Sequence, residues 1–346
     1  DILPYISGLY TLPWILVGLI ATILIAKVTG REKIDKVMNK VGLVLLYFFV
    51  PLLLFRIFLV VDFGTEQIAF IVATSIVLTF LYIITYIFAK YKADKYGLKK
   101  SNRQMFIKTV FISQGRSSAF IGGALLTETS PWRVEAAIFI ALVGVVLFAI
   151  IPYLLSYMHK KETHKSDKHI LALPRHLKLY PWYLLSFVIV AIILHGHLGL
   201  NVNWNAPEAV IFTFFTALTI PAALYYVGSG IHPRDLKIAE IKKLFSLKNN
   251  NNKDHWPWVR SIFLFTMVIT PLIISIILGL LIILELISTT WFVIIVLNSF
   301  LPVTSTNMFL VPYGIDKKAT TLSITWTTIF SVPIIVFLIY VFTIYF

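Results

Sequence analysis

Residues 298–307 read Asn298-Ser299-Phe300-Leu301-Pro302-Val303-Thr304-Ser305-Thr306-Asn307, and they interrupt an otherwise apolar run from 289 to 311. A run of that length suits a helix crossing a hydrocarbon core of roughly 30 Å. Its centre does not suit an unbroken one. Pro302 removes a backbone donor and crowds the preceding turn, and hydroxyl and carboxamide side chains flank it on both sides. Backbone groups freed in this way survive in a bilayer only inside protein or beside water. The stretch therefore reads as a transmembrane helix broken near its middle.

Nine further apolar runs lie outward from it, at 9–27, 41–60, 67–89, 105–126, 134–156, 180–198, 208–228, 259–282 and 320–345. They are continuous rather than alternating and too long for barrel strands, so each crossing must be a helix. Composition agrees. Of 346 residues, 58% are hydrophobic and 13% charged, with a mean hydropathy of +0.86; a soluble domain carries about 25% charged residues. The expected class is all-α, a polytopic membrane protein with ten transmembrane helices. The absence of cysteine excludes disulfides, thiol nucleophiles and cysteine metal sites. The first run leads into a basic segment without a small-residue cleavage site, so it is read as a span and not a signal peptide. The chain opens at Asp1 without Met, and its native start is expected upstream.

The location of the charge interprets the net +14. Connections 27–40, 90–108, 160–178, 234–260 and 317–318 hold 27 of the 30 Lys and Arg. The intervening connections carry Asp62, Glu66, Glu128, Glu208 and Glu285. This alternation places the basic connections in the cytoplasm and both termini on the non-cytoplasmic side of the cell membrane. The basic residues are read as topology signals and contacts to lipid headgroups, with no nucleic-acid partner. Lys248-Asn249-Asn250-Asn251-Asn252-Lys253 reads as a linker in the longest connection. His159, His164, His169 and His176 share one connection, and their irregular spacing argues against a metal site.

An internal repeat organises the runs. Pro51 in Leu46–Phe55 pairs with Pro221 in Thr216–Tyr225, and Phe148-Ala149-Ile150-Ile151-Pro152 pairs with Phe330-Ser331-Val332-Pro333. Residues 1–156 would form one five-helix repeat, 157–179 a cytoplasmic linker and 180–346 a second repeat. Five is odd, so the second copy is inverted in the membrane, a mark of secondary transporters with a midplane site at discontinuous helices.

In this register the run at 105–126 faces the one at 289–311. It contains Ser113-Gln114-Gly115-Arg116-Ser117-Ser118. Arg116 lies about ten residues from either end of its run, too deep to snorkel, and an arginine at the bilayer centre costs at least about 2.5 kcal/mol. No Asp or Glu lies deep in any run, so its partner is a carbonyl cluster, water or a bound anion. A guanidinium suits a carboxylate because it donates two parallel hydrogen bonds. The candidate binding set is Gln114, Gly115, Arg116, Ser117, Ser118, Asn298, Pro302, Thr304, Ser305 and Asn307. The oxygens of Asn298, Thr304, Ser305 and Asn307 could alternatively hold Na⁺. Arg56, near Asp62, is read as structural; His195 and His197, at a helix end, face water. Thr321, Ser323, Thr325, Thr327 and Thr328 either line the same cavity or make bonds between helices. No catalytic set is present: there is no His-Glu-x-x-His pair and no deep Ser–His–Asp group.

Taken together, Asn39-Lys40-Val41 with Tyr47–Arg56, Gly228-Ser229-Gly230, Leu301-Pro302 through Tyr313-Gly314-Ile315-Asp316, and Thr327–Pro333 resemble the auxin efflux carrier family, over nearly the whole chain. The resemblance implies two inverted five-helix repeats, as in sodium/proton antiporters and bile acid symporters, with broken helices four and nine crossing at the substrate site. It implies a scaffold of helices one, two, six and seven that forms a homodimer, and a mobile core of the other six. Family members commonly carry Asn after the glycine of helix four, where Arg116 stands here. The resulting expectation is a secondary transporter for small organic anions, needing no cofactor and catalysing no reaction. A sodium-coupled symporter and a non-transporting receptor are the competing expectations.

Overall fold

The computed structural model describes residues 11–117, 132–163, 175–200, 202–204, 206–246 and 255–345. Among these residues the protein is helical, and its one β-type pairing is an isolated bridge. A helix falls in each apolar run: α1 Trp14–Thr29, α2 Arg31–Phe58, α3 Thr65–Lys95, α4 Lys100–Ile112, α5 Arg133–Met158, α6 Arg175–Gly196, α7 Val210–Ser229, α8 Trp256–Ile283, α9 Thr289–Phe300 and α10 Lys317–Tyr345. Seven of them, α2, α3, α5, α6, α7, α8 and α10, are long and apolar enough to cross a membrane. The protein is thus an all-helical chain of the multi-pass membrane type.

Proline shapes three of these helices in the same way. Residues 45–49, 146–150 and 265–269 form π turns, and Pro51, Pro152 and Pro271 follow each turn by two residues. Proline has no N–H and its ring collides with the carbonyl four residues back. Widening the helix by one residue relieves the collision. Pro221 and Pro333 sit inside α7 and α10 without a π turn. The prolines paired in sequence, Pro51 with Pro221 and Pro152 with Pro333, therefore have different local backbones.

The chain divides into two compact units. The first comprises residues up to Val72, Ser118–Gly144 and Leu179–Ile231, and so holds α1, α2, α7, most of α6 and the start of α5. In it α1 and α7 meet backbone to backbone. A Cβ on Gly18 would strike Tyr225 O, and one on Gly228 would strike Ile15 O. Arg56 is buried, donates from Nη1 to Thr216 Oγ1 at 3.0 Å and lies 5.4 Å from the Trp204 ring centre. Asp62, its expected neighbour, instead contacts His195 Nε2 at 3.1 Å. His197 is exposed.

The second unit comprises Ala73–Ser117, Val145–Lys178 and His232–Phe346, and holds most of α3, all of α4, α8, α9 and α10, and the rest of α5. Phe106, Ile107 and Val110 of α4 pack against Ala89 and Ala93 of α3, Ile262 of α8 and Ile324 of α10. A short helix, Ile238–Phe245, buries Leu244 against Trp256, Val259 and Trp326.

Candidate functional site

Within the second unit, α4 ends at Ile112 and α9 ends at Phe300. The chain turns at Ser113–Gln114 after α4 and runs extended directly after α9, and the pieces around Arg116 and Val303 cross. Arg116 and Val303 form an antiparallel bridge: Ser117 N–H donates to Pro302 O at 2.9 Å and Thr304 N–H donates to Gly115 O at 2.8 Å. This pairing answers the burden Pro302 creates, because buried backbone groups need partners. After the crossing, residues Ser305–Tyr313 wind as a 3₁₀ helix whose first turn is capped by Thr304 Oγ1.

Gly115 is fixed by close packing. A Cβ there would lie 2.7 Å from Leu147 Cδ2 and 3.1 Å from Asn307 Oδ1. Asn307 ties the two pieces together, donating from Nδ2 to Ile112 O at 2.9 Å. From α10, Thr327 Oγ1 accepts the Val303 N–H at 3.1 Å. Of the span-ten hydroxyls, Ser323 bonds back to its own helix, and Thr328 Oγ1 is buried without a partner.

Arg116 is 3% exposed. Its guanidinium donates to Leu301 O at 2.9 Å, to Thr266 O at 3.0 Å and, more weakly, to Gln114 Oε1 at 3.4 Å. A proline and a helix end explain why those carbonyls are available. In the α8 π turn, Thr270 N–H reaches back to Phe265 O. Thr266 O would next draw on residue 271, which is proline and has no N–H. Leu301 O precedes Pro302, beyond the end of α9. Arg116 thus replaces the donor that Pro271 withholds from Thr266 O and serves a carbonyl that the end of α9 leaves open. Leu301 O also lies just past the C-terminal end of α9, which carries partial negative charge. Among the described residues no carboxylate pairs with Arg116. Two of the five guanidinium N–H donors remain after these three bonds.

The crossing brings together Gln114, Gly115, Arg116, Ser117, Pro302, Thr304 and Asn307. Gln114, Ser117, Asn298, Thr304 and Asn307 are all buried, and Ser305 is half-buried. Three of their atoms are buried without a partner: Gln114 Nε2, Asn298 Oδ1 and Asn307 Oδ1. Ser118 lies outside the described residues.

Two participants are missing from the sequence-based set. Thr266 contributes only a carbonyl, and its signal is the Thr270-Pro271 pair inside an apolar run. Lys108 is the other. It was counted with the basic connection 90–108, yet it sits in the third turn of α4, 2% exposed, with Nζ donating to Tyr313 O at 3.0 Å. Beside it, Thr109 Oγ1 accepts the Asp316 N–H at 2.9 Å. Asp316 in turn caps α10 and lies 3.0 Å from His255 Nδ1. Charge position alone misassigned Lys108, because α4 begins at Lys100 and carries its third turn into the core.

Compared with known proteins, the chain matches no family model and no curated sequence.

Proposed function

We propose that this protein is a secondary carrier of the auxin efflux carrier type, moving small organic anions, carboxylates first among them, across the cell membrane by alternating access. In this reading the helices form two inverted five-helix repeats, and α4 and α9 are the broken crossing pair. The observation that carries it is the buried guanidinium of Arg116 at the crossing, held by neutral oxygens and facing no carboxylate among the described residues. Carbonyls orient a cation without cancelling its charge. A carboxylate does cancel it, and the two remaining N–H donors of Arg116 with Gln114 Nε2 supply hydrogen bonds for one.

The division of the chain supports the same reading. One unit gathers α1, α2, α7 and most of α6, the helices assigned to a dimerising scaffold; the other gathers the crossing pair with α3, α8 and α10. A sodium-coupled symporter of the same fold is the second reading, favoured by the donor-less Asn298 Oδ1 and Asn307 Oδ1. Asn307 Oδ1 packs against Gly115, which weakens it.

Uptake by the purified protein in sealed vesicles tests the proposal. Labelled small carboxylates should enter protein-containing vesicles and saturate, and Arg116→Ala should abolish the saturable part. Binding without uptake would replace the carrier by a receptor.

A further inference from the structure

The groups around Arg116 make up an oxygen cage. Two are main-chain carbonyls, Leu301 O and Thr266 O, and the third is the carboxamide oxygen Gln114 Oε1. None carries a formal charge. The two carbonyls lack helical donors, Thr266 O because residue 271 is proline and Leu301 O because α9 ends at Phe300. The C-terminal end of α9 adds partial negative charge beside Leu301 O. Unwound carbonyls and helix C-termini are the groups with which membrane proteins strip and hold alkali cations. Here the cage is filled by a side chain of the chain itself.

We infer that Arg116 is a resident, covalently tethered cation occupying a cage that would otherwise require a free monovalent cation, so that anion binding at the crossing is independent of Na⁺ and K⁺. The second half rests on the anion-carrier reading above; the first half rests on the cage geometry alone. Removing the guanidinium leaves three buried acceptors without donors, and buried acceptors without donors are costly. A small cation from solution then has a site that the native protein lacks.

Thermal unfolding of the purified protein and of Arg116→Ala tests the cage. Choline chloride is replaced at constant ionic strength by NaCl, by KCl or by low-millimolar guanidinium chloride. The native protein should be indifferent to the exchange. The variant should gain about 2 °C in Tm in at least one of the small cations. No response of the variant, or an equal response of both proteins, would overturn the inference. Should Arg116→Ala fail to accumulate in membranes, Arg116→Gln keeps a polar side chain, shorter and without the charge, and should respond in its place. Arg116→Lys, whose ammonium is still tethered, should stay indifferent. Vesicle uptake separates this inference from the function it rests on. Native uptake should continue at an unchanged rate when choline replaces Na⁺ and K⁺, and uptake that stops would overturn the cation-independence. No uptake in any salt would overturn the carrier reading, while the melting data alone would still decide the cage.

Discussion

At the scale of single residues, the crossing is an exercise in satisfying backbone groups that a proline and a helix end leave open. Arg116 supplies donors to Thr266 O and Leu301 O, and Thr327 supplies an acceptor to Val303 N–H. The Thr327 bond gives a clean test. Thr327→Val keeps the shape and strands a buried N–H, which costs about 1–3 kcal/mol. A lowered Tm is expected. Thr328→Val, at a neighbouring hydroxyl without a partner, should leave Tm unchanged or raise it. Equal effects of the two would refute the assignment. The sequence made the depth of Arg116 and the break at Pro302 legible, because both are local. It left the partner of Arg116 open between carbonyls, water and an anion. Thr266 enters through its main chain, and no residue type announces a carbonyl. Lys108 was misassigned for a related reason: a lysine near the end of an apolar run looks the same in sequence whether it faces water or donates inward.

At the scale of elements, glycine and proline set the geometry. Gly18 and Gly228 let α1 and α7 touch through their backbones. Gly228→Ala puts a Cβ into a carbonyl of the facing helix, where nothing flexible can yield, and should cost at least about 1–3 kcal/mol. Gly279→Ala is the control. A Cβ at Gly279 meets nothing within 4 Å, and alanine favours a helix by roughly 1 kcal/mol over glycine. Melting the two variants beside the native protein should move Tm in opposite directions. A Gly228→Ala protein as stable as native would contradict the tight crossing. Helix positions were readable because an apolar run of about 20 residues has one physical solution in a bilayer. The π turns were not. Paired prolines looked equivalent in sequence, yet Pro51 and Pro152 produce π turns where Pro221 and Pro333 do not. The response of a helix to proline depends on what neighbouring helices offer the freed carbonyl. Tyr183 Oη, for instance, donates to Tyr47 O, the carbonyl four residues before Pro51.

At the scale of the whole molecule, composition and loop charge carry the membrane class, and the structure supplies long apolar helices in two compact units. The cytoplasmic face of the basic connections, argued from charge alternation, the inverted repeats, argued from paired prolines and span count, and a dimer, implied by the family resemblance, remain parts of the proposal. The proposal turns on one locus, where the chain past α4 crosses the chain past α9 and a guanidinium sits among neutral oxygens. A purely structural Arg116 and an anion-binding Arg116 share every hydrogen bond described above and part company when the charge is removed. The decisive measurement follows binding of a small carboxylate and thermal stability together, on purified native protein, Arg116→Ala and Arg116→Lys. Charge-assisted hydrogen bonds are worth roughly 1.5–3 kcal/mol each, so losing two should weaken binding by on the order of a hundredfold or more. Lys keeps the charge without the planar fork and should recover binding only in part. The account predicts that Arg116→Ala stays folded and membrane-inserted and no longer binds the anion. An Arg116→Ala protein that melts earlier yet binds the anion with native affinity would contradict it.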